Sequence, residues 1–143
     1  MARFSVDVYD VILGLLRAGL GSAVAVRNRI PDNIPDLVPL GVARRGGGSS
    51  NHPQFYDRPQ FTVQTWVAPT VAQPDPWRGA ADLIDDARRV LYTAWSEQTV
   101  VPGAGHLASY QEDVGPLDVG DPGLPHYGRY VLTLRATVRP PRT

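Results

Sequence analysis

The feature that most restricts the fold is the run Arg129-Tyr-Val-Leu-Thr-Leu-Arg-Ala-Thr-Val-Arg139, which alternates without a break. Tyr130, Leu132, Leu134, Ala136 and Val138 fall on one face, and Thr133, Arg135, Thr137 and Arg139 on the other. A backbone that sends alternate side chains to opposite sides is a strand, and one apolar face makes it a half-buried strand. The chain therefore needs a sheet and a layer to cover it. The turn-rich run Val114-Gly-Pro-Leu-Asp-Val-Gly-Asp-Pro-Gly-Leu-Pro-His-Tyr-Gly128 precedes it and reads as a long loop over residues 114–128, with the strand as its anchor.

The remaining elements follow from the same periodicities. Asp7 can cap a helix whose Val8, Val11, Ile12, Leu15 and Leu16 recur at helical spacing, with Gly19 and Gly21 as stops. Residues 22–30 read as a strand with Val24 and Val26 inward, and residues 37–43 as a second whose Pro39 marks a start or an edge. In residues 59–67, Phe61, Val63, Thr65 and Val67 share one face and Gln60, Thr62, Gln64 and Trp66 the other. A helix opens at Asp75-Pro76 and runs to about residue 97, with Leu83, Ile84, Ala87, Val90, Leu91, Ala94 and Trp95 as its apolar stripe. Residues 105–113 form another strand, with Leu107, Ser109 and Gln111 opposed to Ala108 and Tyr110. The order α-β-β-β-α-β-β predicts an α+β fold: a mostly antiparallel or mixed sheet of four to five strands with both helices on one face. The other sheet face then carries Gln60, Thr62, Gln64, Thr133, Arg135 and Thr137.

Length and composition set limits. At 143 residues the chain reads as a single domain over 1–143, able to bury roughly 70% of its unfolded surface. It contains no Cys, which removes disulfides, thiolate metal sites and thiol nucleophiles. It also contains no Lys: all 14 basic residues are Arg, so Schiff-base chemistry and the phosphate-loop lysine are absent too. This bias is what a GC-rich coding sequence produces. Formal net charge is zero, so no broad basic field draws nucleic acid. Acids near the N-terminus argue against a signal peptide, and Arg17 with three glycines breaks the apolar run 11–26, so no membrane span is expected.

A search for chemistry returns little. His52, His106 and His126 have no helical partner at metal-ligand spacing, and no G-x-S-x-G elbow exposes a serine. Asp85, Asp86, Arg88 and Arg89 form a solvated helix face. The segment Gly46-Gly47-Gly48-Ser49-Ser50 lacks the lysine and following helix of a phosphate loop, and residues 44–57 read instead as a flexible loop. No catalytic residue, cofactor or metal is assigned. The tryptophans read as packing residues, with Trp77 partly exposed.

The chain resembles the tail terminator proteins of long-tailed (siphovirus-type) bacteriophages, particularly those infecting high-GC Gram-positive hosts. The likeness lies in the opening helix; in Leu37-Val-Pro-Leu-Gly-Val-Ala-Arg-Arg-Gly-Gly-Gly48; in Asp57-Arg-Pro-Gln-Phe-Thr-Val-Gln-Thr-Trp66; in the Ala-rich helix; and in residues 115–127 running into the closing strand. The resemblance implies a non-enzymatic virion protein of the tail neck, assembled in the host cytoplasm, that forms a homo-oligomeric ring, usually a hexamer, on the tail tube. Such a ring ends tube growth and offers a docking surface to the head-tail connector or head-completion protein. DNA would pass through it without sequence-specific binding. Carried onto this chain, the candidate contacts are Arg44, Arg45, Gly46, Gly47, Gly48, Phe55 and Tyr56 in one loop, and Leu117, Asp121, Pro122, Leu124, Pro125, His126 and Tyr127 in the other. Shortening the second loop is expected to spare folding and damage assembly. Two other readings stand beside this one: a head-completion or connector-associated neck protein, and a small α+β hydrolase working through His106 or His126.

Overall fold

A computed structural model describes residues 5–141 of the chain; residues 1–4 and the tail residues Arg142 and Thr143 lie outside the described residues. In chain order the elements are α1 (Val8–Leu20), β1 (Ala25–Arg27), α2 (Ile34–Leu37), β2 (Leu40–Ser49), β3 (Arg58–Val67), α3 (Pro76–Glu97), β4 (Val100–Val101), β5 (Gly105–Asp118) and β6 (Gly128–Arg139). The fold is α+β. Six strands form one mixed sheet in the order β1-β2-β3-β6-β5-β4, in which β1 and β2 are parallel and every other pair is antiparallel.

The alternating strands sit where their patterns require. β3 and β6 are central neighbours, with Phe61 beside Leu134 and Val63 beside Leu132 on one face, and Gln60 beside Arg135 and Thr62 beside Thr133 on the other. The apolar face is covered by α1 and α3, whose buried Val11, Ile12, Leu15 and Leu16, and Ile84, Ala87 and Leu91, join it in one core. Buried Thr65 on that face donates its hydroxyl to the Ala80 carbonyl of α3 at 3.0 Å. α1 begins as its sequence requires, with the Asp7 carboxylate accepting from the Asp10 amide at 3.1 Å. α3 has proline at its first turn, but the side chain of Asp75 makes no capping bond.

A second, smaller core lies on the opposite face. Ile34, Leu40, Val42 and Trp66 are buried there, with Leu37, Val38 and Leu124 packed against them. This face is therefore polar only over part of its area.

Several boundaries differ from expectation. The strand expected over 22–30 is only three residues, although Val26 is buried as expected. The strand expected over 37–43 begins after Pro39 and runs on to Ser49, so Arg44, Arg45, Gly46, Gly47 and Gly48 belong to β2 rather than to a flexible loop. Glycines carry no hydropathic period, yet their backbone pairs with β3 as any other does. A register shift between Arg45 and Gly47 and a positive φ at Gly48 (124°), where a Cβ would overlap the Arg58 carbonyl, explain the glycines themselves. Likewise β5 extends through Leu117 to Asp118, leaving residues 119–127 as the connection, and its Pro116 is tolerated because β5 faces no strand beyond β6 there. Leu107 and Ser109 do not share a face: an irregularity between them turns Leu107 into the helix-side core and Ser109 toward Thr137 on the open side. The additional strand is the two-residue β4, and the additional helix is the single turn α2.

Gly128 marks where β6 and α3 approach most closely, since a Cβ there would overlap the Pro76 carbonyl and the Trp77 amide. Gly128→Ala should cost about 3 kcal/mol by forcing the two backbones apart. Gly115→Ala, with nothing within 4 Å of its added Cβ, should stay within about 0.5 kcal/mol of the parent. Chemical denaturation of both variants decides; equal midpoints would contradict the close approach.

Candidate assembly surfaces

Sheet register separates the two candidate surfaces. Ser49 pairs with Arg58 at one end of the sheet, whereas Val67 pairs with Gly128 and Asp118 with Tyr130 at the other. The connection 50–57 and the connection 119–127 therefore project from opposite ends of the same strands. The candidate residues form two sites, not one.

At the first end the connection is held internally. The Arg45 guanidinium donates twice to the buried carboxylate of Asp57, at 2.7 and 2.9 Å, and once to the Gly47 carbonyl at 2.9 Å. Asp57 and Val138 exchange backbone hydrogen bonds of 2.9 and 2.8 Å, which ties the connection to the end of β6. Ser50 donates its hydroxyl to the Tyr56 carbonyl at 2.7 Å, and the Phe55 and Tyr56 amides donate to the His52 carbonyl. The Arg58 guanidinium stands 5.3 Å from the centre of the Tyr56 ring. Phe55 alone of these residues turns a large apolar side chain to solvent, at 67% exposure, and His52 stands 6.4 Å from it ring to ring. Arg45 is thus a strut, and Phe55 is the residue free to touch something else.

At the second end the anchor is Trp66. Its indole is buried in the smaller core and donates to the Asp121 carboxylate at 3.0 Å. The other oxygen of Asp121 accepts from the Gly123 amide at 2.9 Å, and two successive turns follow, Leu124 to Asp121 and Tyr127 to Leu124, each 3.0 Å. Arg129 lies over the Trp66 ring at 5.1 Å and donates to Gln64 and to the Gly120 carbonyl. Asp121 and Leu124 therefore hold the connection down, while Pro122, Pro125 and His126 remain exposed and Tyr127 is half-buried. The expectation that this loop can be shortened without harm to folding changes accordingly, because Leu124 belongs to a core. Trp77, 55% exposed at the start of α3, stands at this same end beside Gly128, as does the fully exposed Val71 of the β3-to-α3 connection. Exposed Leu117 and Val119 flank the same connection.

One polar cluster went unread in the sequence. Arg88 of α3 grips Glu112 of β5 with two hydrogen bonds of 2.7 and 2.8 Å, and the Tyr110 hydroxyl donates to the same carboxylate at 2.8 Å. The Arg88 hydrogen bonds, with help from Tyr110, hold the Glu112 carboxyl below its ordinary range; burial, then the bond to Glu112, push the Tyr110 phenol above its own. Arg88 and Glu112 lie 24 positions apart, beyond any local spacing rule. The helix-face pairs read from sequence, Arg89 with Asp85 and Asp86, are present but exposed and add little.

None of this assembles reaction chemistry. His106 pairs in register with Arg139 at the first end, and His126 lies in the connection at the second. Among the described residues no group of three or more His, Asp or Glu is placed to hold a metal ion, and no helix is long and apolar enough to cross a membrane.

Asp121→Ala would leave the Trp66 indole buried without its acceptor and should cost about 2 kcal/mol, whereas His126→Ala should stay within about 0.5 kcal/mol. Thermal unfolding followed by tryptophan fluorescence tests this, and an unaltered midpoint for Asp121→Ala would remove Trp66 as the anchor.

Against this geometry, comparison with known proteins gives one finding. The family model described as phage tail termination protein matches residues 5–142, nearly the whole chain. No curated protein matches it.

Proposed function

The chain belongs to the phage tail termination protein family and is a structural protein of the phage tail, and we propose that it caps the tail tube as a homo-oligomeric ring, a hexamer, that ends tube polymerisation. In this reading one end of the sheet meets the last tube ring and the other meets the head-side connector, in the neck of the virion, after assembly in the host cytoplasm. The observation that carries it is the placement of the two exposed contact sets at opposite ends of one sheet. Phe55 stands at the first; Trp77, Pro122, Pro125 and His126 stand at the second. A terminator needs two axial partners, and large side chains left exposed at both ends of a rigid sheet supply two separate surfaces.

The same arrangement explains why the loops are pinned. An interface made by ordered groups loses less conformational freedom on binding than one made by floppy segments. Arg45 with Asp57, and Trp66 with Asp121, fix the two contact sets before any partner arrives. Zero formal charge suits a ring through which DNA slides without being held. The lysine-free composition fits the reading of a long-tailed phage of a high-GC Gram-positive host.

The test uses purified tail tubes and connector with Phe55→Ala and Trp77→Ala. Each variant should lose one axial partner, at least tenfold in affinity, and keep the other; the parent should bind tube ends and fix tube length. A protein that bound connector and left tube length unchanged would support a neck protein that does not terminate the tube. If both variants lost the same partner, the two-ended reading would fail.

A further inference from the structure

The sheet leaves two stretches of strand edge without a partner. β1 covers β2 only from Leu40 to Val42, so no strand lies beside β2 from Ala43 to Ser49, where the Arg45 amide donates to the Tyr9 hydroxyl at 3.0 Å. β4 covers β5 only at Gly105 and His106, and the Leu107 and Ala108 carbonyls accept from Gln98 and Trp95 at 3.1 and 3.2 Å, so β5 is open from Ser109 to Asp118. Unpaired backbone groups along an edge are a template for another strand. Strands β2, β3, β6 and β5 alternate in direction, so β2 and β5 run opposite ways. A second copy rotated into place beside the first would present its β5 antiparallel to β2 and continue the alternation.

Symmetry distinguishes this pairing from its alternatives. Most charges of the two edges are already paired within the chain: Arg45 with Asp57 on β2, and Glu112 with Arg88 and Asp113 with Arg135 on β5. β2 against β2, or β5 against β5, would join two copies about a two-fold axis as an isologous pair. Joining unlike edges is the heterologous contact that closes into a ring. Arg44 lies on the open sheet face, paired in register with Thr62, and makes no ion pair among the described residues. Beside it a notch of about 590 Å³, lined by Tyr9, Asn28, Arg29, Ile30, Arg44 and Arg45, leaves the β2 edge accessible.

Resting on the ring reading above, we propose that the open edge of β2 receives the open edge of β5 from a neighbouring copy, joining the sheets around the ring. The register follows from closure. A ring without axial rise, its strands along the axis, brings equal levels of the sheet together. Tracing pairs across the sheet, Ser49 is level with Arg58, and Gly47, Gln60, Arg135 and Gln111 share a level, as do Arg45, Phe61, Leu134 and Glu112. Two residues along each strand from Gly47 and Gln111, Ser49 comes to face Ser109 of the next copy. Arg44 then comes level with the neighbour's Val114, next to Asp113, whose carboxylate is held by Arg135 at 2.8 and 2.9 Å. Below this level, β5 has irregularities between Glu112 and Val114 and between Val114 and Leu117. Bulges bend a strand, and these carry the lower part of β5 aside where the neighbour's β1 begins.

The chain has no cysteine, so the joint can be tested by cross-linking without background. Within one chain Ser49 and Ser109 are three strand spacings apart, about 14 Å, beyond the reach of a disulfide. The full-length double variants S49C/S109C and R44C/V114C are oxidised and run on non-reducing gels, with native mass spectrometry of the parent alongside. The joint predicts a ladder of covalent oligomers above dimer for the double variants and none above dimer for any single variant. Rings in native mass spectrometry with no ladder from either pair would overturn the joint and leave the ring reading standing. A monomer at all concentrations would overturn the ring reading, and the joint with it.

Discussion

The pairing of β3 with β6 is the constraint on which everything else depends. Both strands alternate, and their register brings Phe61 and Val63 together with Leu134 and Leu132. One face of the sheet centre is thereby apolar apart from Thr65, and α1 and α3 must cover it. Because the helices take that face, contact with other molecules falls to the strand ends, the strand edges and the open face. A one-residue slip would bury Thr133 and Arg135 in place of Leu132 and Leu134. No arrangement of the loops could then compensate.

Trp66 shows how the second face was put to use. It belongs by period to the polar side of β3, where an indole would otherwise be exposed, and the smaller core with the Asp121 bond makes that position an anchor. The loop after β5 is ordered because β3 offers it an aromatic platform and an N–H donor. Arg129 adds its planar cation above the same ring. At the other end the Arg45–Asp57 pair does the corresponding work, with Asp57 also tied to Val138. Ordered loops at both ends leave only their outward residues for partners.

What was legible in the sequence was what repeats. The bounds of α3, the faces of β3 and β6, and the α+β layering follow from periods of 3.6 and 2 that hydrophobic residues display directly. The second half of β2 was hidden because glycine has no side chain to show a period, and the second half of β5 because Gly115 and Pro116 look like a turn. The change of face after Leu107 was hidden because an irregularity of one residue reverses alternation without changing composition. Of the candidate contacts, the exposure of Phe55, Pro122, Pro125 and His126 was readable from exposed-loop chemistry. The inward roles of Arg45, Asp121 and Leu124 were not, since each rests on a partner distant in sequence, as does the Arg88–Glu112 pair.

The central claim is that this sheet stands with its strands along the axis of a ring, one end to each axial partner. Electron cryomicroscopy of the protein bound to tail tube ends tests it most directly. The account predicts a ring whose strands run along the tail axis, with the Phe55 end and the Trp77 end on opposite faces and helices α1 and α3 on one side of the sheet. Strands lying in the plane of the ring, or both loop sets turned toward the same partner, would contradict it.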